Sequence, residues 1–404
     1  MWLHNFLTNR TQQVAANGAI SSKSSVTSGV PQGTVLGPIL FIIMISDIDN
    51  KLDKAFASLY ADDSRVSSII KSNIDPTHFQ EELNKIIYPW AEKNKAKFNG
   101  DKFEHIHFGK NIAPTPSYTD PTGIIIKTKQ IIKDLGVTIS NDLNWSDHIN
   151  KVVSNCRKQI AWIFRTFSKR DNLTMRTLWI SLIRPIIDYC SPLFSPHPTN
   201  YGNIDKLEGI LRSFSERADG LYSLEYSARL KCLHLQSIQR RHERYKILYI
   251  YKIKEGLVPN LPSSPSNPSP NYSLTFTSST RNGTRCNIPN PKLYHNPAEI
   301  QRKSSFAQTA SDLWNSLPPC ISSISNMPVN KFKSCLDKFL ALLPDEPRCS
   351  APETMIDLNT GRKSNSIWHL KHLPDIKSSI INFNKGWNCH SSCRGGPRRG
   401  NPPP

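Results

Sequence analysis

The sequence predicts an α+β N-terminal region with an antiparallel sheet, then an all-helical domain, then a disordered basic C-terminal tail. Three observations predict this order. Short strand-like stretches broken by Gly, Pro and Asn fill residues 1–144. Apolar residues at three- and four-residue spacing take over from Trp145. Beyond Pro344 the periodicity fades into Gly, Pro and Arg, a composition that cannot build a core.

Residues 1–20 open with a short amphipathic piece and reach a turn at Asn17-Gly18. In Ser28-Gly29-Val30-Pro31-Gln32-Gly33, two glycines and a proline set an irregular backbone ahead of the apolar run Val35 to Ile45. Pro38 suits the first turn of a helix, and Ile39, Ile42, Ile43 and Ile45 then line a face expected to pack against a sheet. Four β-branched residues lower helix propensity, so a strand stays open as the local alternative. The run is too short to cross a bilayer.

Ala55 to Ser58 and Ser64 to Ile70 read as two strands flanking a turn at Tyr60-Ala61-Asp62-Asp63, a hairpin with acidic residues at its tip. Phe79 to Lys97 reads as a helix with Leu83, Ile86, Ile87 and Trp90 on one face, interrupted or kinked at Pro89. Further strands are expected at Glu104 to Phe108, Gly123 to Ile126 and Gln130 to Ile132. From Ile149 through Val152, Val153, Cys156, Ile160, Ile163, Phe164 and Phe167 the apolar spacing specifies a long amphipathic helix. A second starts near Asn172 and carries Leu178 and Leu182 towards Pro185; others are expected at Ile204 to Phe214 and Gln236 to Lys254. The helical domain thus covers 145–256. A Pro- and Ser-rich linker covers 257–300, a small helical appendage 301–343 with helices at Phe306 to Leu317 and Pro328 to Leu343, and a mostly disordered basic tail 344–404.

Lys and Arg number 51 against 32 Asp and Glu, a formal charge of +19. Such a surplus repels itself unless an anionic partner offsets it, so a polyanion is the natural partner, with a merely soluble basic surface as the other reading. Between Lys151 and Arg184 eight Lys or Arg face one acidic residue, Asp171. A second basic run begins at Gly361. The nine cysteines are scattered and no secretory signal segment precedes them, so neither a disulfide framework nor secretion is expected. Cys389, His390 and Cys393 lack the second ligand pair that a zinc site usually has.

Two adjacent carboxylates such as Asp62 and Asp63 can be brought towards one cavity at a hairpin tip, where a hard cation relieves their repulsion. An ordinary acidic turn is the alternative. The neighbouring residues add a resemblance. Ser28-Gly29-Val30-Pro31-Gln32-Gly33-Thr34-Val35-Leu36-Gly37-Pro38-Ile39-Leu40-Phe41 resembles motif B of the reverse transcriptases of non-LTR retrotransposons, the jockey-like LINE elements in particular. Tyr60-Ala61-Asp62-Asp63 follows at the place of their motif C. Trp90, Asn94, Phe98-Asn99 and Lys102 up to Phe108-Gly109 are similar to motif D, and Lys133-Asp134-Leu135-Gly136-Val137 with Leu143, Trp145, His148 and Ile149 to motif E and the thumb entry. Ser304-Ser305-Phe306 and Leu313-Trp314-Asn315-Ser316-Leu317-Pro318 resemble the region after the thumb, so the likeness covers about residues 1–343.

The resemblance implies an RNA-directed DNA polymerase that works on an RNA template, a DNA primer and deoxynucleoside triphosphates, with a two-metal Mg²⁺ site, acting in the nucleus or cytoplasm and away from membranes. It implies a partial polymerase palm over 1–144 and a thumb over 145–256. Asp62 and Asp63 take the role of metal carboxylates, Tyr60 and Ala61 support the primer terminus, and Gln32 and Gly33 lie near the incoming nucleotide. Lys102 stands where a cation would assist the leaving group, a solvated turn lysine being the other reading. Lys151, Arg157, Lys158, Arg165, Lys169 and Arg170 are suited to phosphate contacts on the thumb. The family's motif A, which comes before motif B, supplies a further aspartate, and here no Asp or Glu precedes Asp47. The expectation is a catalytically incomplete, N-terminally truncated copy; the alternative is a non-catalytic nucleic-acid-binding remnant.

Overall fold

The structure, a computed structural model, describes residues 2–70, 74–96, 98–109, 117–196, 200–259, 274–279, 283–288 and 305–345. It mixes helices with small antiparallel strand pairs, and the described residues divide into two compact units, one up to Lys129 and one from Gln130 on.

In the first unit, helix α1 (Trp2–Leu7) leads into strand β1 (Arg10–Gln12), a small hairpin of β2 (Ala15–Ala16) and β3 (Ala19–Ile20), and β4 (Ser24–Val26), which pairs back on β1. The turn expected at Asn17-Gly18 is present, with positive φ at both residues. Helix α2 (Leu36–Ile45) resolves the local ambiguity in favour of a helix, with Pro38 inside its first turn. Strands β5 (Ala55–Tyr60) and β6 (Asp63–Ser68) form the expected hairpin.

The next helix runs as α3 (Asp75–Glu82), a wide π turn over Leu83–Ile87, and α4 (Tyr88–Lys93). Pro89 explains the widening. A proline ring collides with the carbonyl four residues back and offers no N–H, and a five-residue loop, with Tyr88 N–H on the Leu83 carbonyl, makes room without ending the helix. Ile45, Ile48, Leu52, Ala55, Leu83 and Ile87 form the buried core of this unit, and Ala57, Leu59 and Val66 pack the inner face of the hairpin onto it.

Two expectations are corrected here. Ile39, Ile42 and Ile43 do not pack against a sheet: they stand exposed, and Ile45 with Gly37 alone is buried on α2. The strands expected at Glu104 to Phe108 and Gly123 to Ile126 are reduced to single bridges, His105 with Thr128 and Thr119 with Ile125. Tyr118 and Asp120 instead fold this stretch on itself, the Asp120 carboxylate accepting N–H bonds from Thr122 and Ile124 (both 2.9 Å). Accordingly, the antiparallel sheet expected for the region consists, among the described residues, of separate strand pairs.

The second unit begins earlier than the boundary expected at 144. Strands β7 (Ile131–Asp134) and β8 (Val137–Ser140) make a hairpin held by Tyr189, whose hydroxyl donates to the Leu135 carbonyl (2.7 Å), and by His148, whose Nδ1 accepts the Thr138 N–H (3.2 Å). Helix α5 (Ser146–Thr166) buries Ile149, Val152, Val153, Cys156, Ile160 and Ile163 of the stripe read from the sequence. Phe164 is half-buried, whereas Phe167, also expected on the stripe, lies past the helix end and is exposed because the chain turns to extended backbone there. Helix α6 (Asn172–Leu178) is capped by Asp171 and passes through a second π turn, Trp179–Ile183, into α7 (Arg184–Asp188). Pro185 stands to this turn as Pro89 does to the first. Short α8 (Ser191–Phe194), α9 (Tyr201–Ser215), α10 (Tyr226–Cys232) and α11 (Ile238–Lys254) complete one core around Trp179, Phe194, Leu211 and Phe214.

A second core begins on the same α11. Ile247, Leu248, Ile250 and Tyr251 pack with the hairpin of β9 (Thr275–Ser279) and β10 (Gly283–Asn287) and with α12 (Phe306–Asn315), α13 (Pro319–Ser322) and α14 (Val329–Ala341). Tyr251 stacks on Phe332 at 3.8 Å between ring centroids. The described part of the expected linker 257–300 is therefore partly strand, and the expected appendage shares its core with the preceding helical region. The basic tail, Cys389, His390 and Cys393 lie outside the described residues.

Candidate functional site

The loop of Ser28 to Gly33 is tied down from both sides. Arg10 donates to the carbonyls of Leu7, at 3.1 Å, and Gly29. Thr34 Oγ1 donates to the Pro31 carbonyl at 2.8 Å and accepts Gly37 N–H at 3.1 Å, which folds the loop onto the start of α2. A Cβ at Gly37 would meet that Pro31 oxygen at 2.7 Å, so only glycine permits the approach. Gly33 has φ +77, a conformation costly for any residue with a Cβ. Gln32 and Gly33 are left exposed on this rigid turn.

The acidic tip follows from the strand register. Ala57 pairs with Val66 and Tyr60 with Asp63, leaving Ala61 and Asp62 as a two-residue loop. Ala61 has φ 52, a left-handed backbone that costs on the order of 1 kcal/mol in a residue with a Cβ. Such strain is repaid only if the hairpin is held from elsewhere. Glu82 does part of this: its carboxylate accepts the N–H groups of Lys54 (2.9 Å) and Ala55 (3.0 Å), anchoring the base of β5 to α3. Tyr60, Ala61, Asp62 and Asp63 are all exposed.

Lys102 ends a short 3₁₀ turn, Gly100–Lys102, that Asn99 caps, and its side chain is exposed. Asp47 accepts the indole N–H of Trp90 at 2.7 Å, a structural bond that occupies one of its oxygens. Apart from the backbone pairing of Tyr60 with Asp63, no side-chain hydrogen bond or ion pair joins Gln32, Tyr60, Asp62, Asp63 and Lys102 to one another among the described residues. The structure brings the glycine-rich loop, the acidic tip and Lys102 into one compact unit.

The donor chemistry at the tip suits a hard divalent cation in kind but not in number. Two carboxylates are present, and no group of three His, Cys, Asp or Glu side chains able to hold a metal exists among the described residues.

The basic residues predicted on the helical region divide by position. Lys151, Arg157, Lys158 and Arg165 are exposed on α5 and form no ion pair among the described residues. Lys169 is partly neutralised by Asp171 at 3.5 Å. The Asp171 carboxyl is pulled down to about 2, first by the Thr174 hydroxyl and next by the Thr174 N–H. Arg170 lies over the Phe164 ring at 5.2 Å, and Arg217 lies over the same ring at 4.7 Å. Sequence reading missed Arg217 because it reaches α5 from the end of another helix. It also missed Glu82, whose role depends on a strand start 27 or 28 residues away. Among the described residues no helix is long and apolar enough to cross a membrane.

The comparisons with known proteins agree with the motif pair. Residues 1–139 match the family model of the reverse transcriptases (RNA-dependent DNA polymerases). The RNA-directed DNA polymerase from mobile element jockey of Drosophila melanogaster is 28% identical over 194 residues, 46% of this chain and 21% of the relative's length. The probable RNA-directed DNA polymerases from transposon BS and transposon X-element of the same fly are 23% identical over 266 residues and 25% identical over 191. These cover 62% and 45% of this chain, and 29% and 21% of the relatives, so the chain spans less than a third of the length of the relatives it matches. No solved structure matches it significantly. With the glycine-rich turn folded onto a helix and the Asp62-Asp63 pair at a hairpin tip of the same unit, residues 1–139 match the reverse transcriptase family, and the chain is similar to the polymerases of jockey and related mobile elements.

Proposed function

We propose that residues 1–144 serve as the motif B to motif E part of a polymerase palm and residues 145–256 as a thumb that holds an RNA template and DNA primer. The observation that carries this reading is the shared core beneath α2 and the β5–β6 hairpin, which supports both the exposed Gln32-Gly33 turn and the Asp62-Asp63 tip on one scaffold. In that role Asp62 and Asp63 supply two carboxylate ligands for Mg²⁺, which when bound activates the primer hydroxyl and stabilises the leaving pyrophosphate. Tyr60 and Ala61 border the primer end, and Gln32 and Gly33 the incoming nucleotide. Lys102 offers a positive charge to the triphosphate.

Phosphoryl transfer relies almost wholly on positioning and electrostatic preorganisation. Two carboxylates without a third leave the cation under-coordinated, so these 404 residues by themselves do not sustain turnover. Primer extension on an RNA template with Mg²⁺ is expected to give no product above a control lacking Asp62 and Asp63; processive synthesis would overturn the statement of incompleteness.

A second reading, non-catalytic nucleic-acid binding, is favoured by the unpaired cations of α5. It requires no reaction. Binding to an RNA–DNA hybrid is expected to weaken linearly in log–log salt titration. No binding at low ionic strength would remove both readings of the helical region.

A further inference from the structure

Helix α5 has a second stripe opposite its buried one. On a helix of 3.6 residues per turn, positions 151, 158, 162 and 165 fall within about 60° of arc and span about 21 Å. They are Lys151, Lys158, Trp162 and Arg165, all exposed, and the sole acidic residue of the helix, Asp147, sits in its first turn. Trp162 keeps 44% of its surface in solvent. The chain leaves the helix at Phe167 in extended conformation (φ −109, ψ 119), which sets the Phe167 ring edge-on to Trp162 at 6.0 Å between centroids, itself 37% exposed. A large aromatic surface is therefore held out of the core, ordered by a neighbouring ring and flanked by cations that no acidic residue neutralises among the described residues.

We infer that the Trp162–Phe167 shelf stacks an unpaired nucleobase of a single-stranded segment while Lys151, Lys158 and Arg165 follow its phosphates. The inference rests on the nucleic-acid-binding reading of this helix and adds the class of strand it takes. Charge complementarity selects the occupant: a protein surface would have to carry a run of acids, whereas a polynucleotide supplies anions and flat π faces together. It also selects the strand. In a duplex both base faces are already stacked and only edges are offered, whereas a single strand presents a free face of any base to an aromatic ring.

The test measures fluorescence anisotropy of the full 404-residue chain with a short labelled oligouridine, an oligothymidine and an abasic strand with the same number of phosphates. Trp162→Ala is expected to weaken binding of the base-bearing strands on the order of tenfold and leave the abasic strand unchanged. Trp162→Phe is expected to restore most of the loss, because a smaller ring still stacks. Lys158→Glu with Arg165→Glu is expected to weaken all three strands, since phosphates are common to them.

Equal losses on intact and abasic strands in Trp162→Ala would overturn the stacking inference and leave the phosphate reading standing. So would no loss on either. No effect of the double charge reversal on any strand would remove the binding reading, and the inference with it. Loss of self-association in sedimentation velocity, with nucleic-acid binding intact, would show the shelf to be a protein surface. Preference between the uridine and thymidine strands tells whether RNA or DNA is taken. Trp162 and Phe167 are both exposed, so Phe167→Ala is a second variant for which the wild-type fold is expected, and it should weaken the same strands to a lesser degree.

Discussion

Glu208 and His242 show how single residues set the response of the second unit to acid. Glu208 is fully buried between α9 and α11, accepting the Tyr226 hydroxyl and the Gln239 N–H, both at 2.7 Å. Burial, with a smaller push from Asp345, raises its carboxyl from 4.5 to about 7 against the pull of those two donors and of Arg212. His242 is equally buried, its Nε2 has no hydrogen-bond partner among the described residues, and Phe194 stands edge-on to its ring. Burial, with Lys246 and Arg241 adding to it and Asp188 opposing, lowers it from 6.5 to about 4. The signs are opposite. The Glu208 contribution is full below 4.5 and lost as pH rises through about 7, whereas that of His242 is full above 6.5 and lost as pH falls through about 4. Between roughly pH 4.5 and 6.5 they cancel. Glu208→Gln is expected to expose the histidine alone, so that stability falls on acidification relative to wild type by about 1.4 kcal/mol per pH unit in this window. His242→Gln should tilt the curve the other way. Denaturant midpoints between pH 4.5 and 7 check both; parallel curves for variant and wild type would refute the assignment. Neither residue was marked in the sequence, since a Glu in a helix reads as solvent-facing until its partners are known.

At the scale of elements, the two π turns repay comparison. Each ends two residues before a proline, Ile87 before Pro89 and Ile183 before Pro185, and each keeps a long helix continuous across a residue that ordinarily breaks it. The interruption at Pro89 was legible in the sequence; its form was not, because a break and a widened turn satisfy the same steric rule and only packing on both flanks favours continuity. The β9–β10 hairpin depends on a closer fit. Gly283 has φ +70, and a Cβ there would come within 2.3 Å of Ser322 Oγ and 3.0 Å of the Pro319 Cα. Backbone cannot yield as a flexible side chain does. Gly283→Ala is expected to destabilise the unit by roughly 2–4 kcal/mol, read from the denaturant midpoint, since a left-handed backbone penalty adds to the overlap. A change below about 0.5 kcal/mol would show that α13 gives way. On α5, by contrast, periodicity alone located the buried stripe, because a long helix carries its core face every three to four residues.

At the scale of the molecule, α11 belongs to two cores, with Ile238 in one and Ile247, Ile250 and Tyr251 in the other. Ties far apart in sequence reinforce the second. The Asp345 carboxylate accepts the Ser237 hydroxyl (2.6 Å) and N–H (2.8 Å), and Arg244 pairs with Asp337. Trp314, fully buried with its indole N–H on the Thr284 carbonyl at 2.8 Å, is central to that core. Trp314→Ala is expected to cost about 3–5 kcal/mol and to lower the melting of α5 to α10 together with the later helices, because the cores share one rod. Hydrogen exchange would read this directly; unchanged protection in α5 would mean that the cores open independently.

What the sequence by itself determined are the features written within a few residues of each other: the motif B turn, the Asp62-Asp63 hairpin and the amphipathic stripe of α5. Local backbone geometry and short-range hydrogen bonds specify these, and the family followed from two of them in order. Tertiary structure alone decided which surfaces meet. The apolar run of α2 keeps Ile39, Ile42 and Ile43 in solvent, the β9–β10 hairpin and the helices α12 to α14 join the core of α11, and Trp162 faces outward beside the cations. Burial depends on which distant segments come together, and residue type at one position carries no record of that encounter.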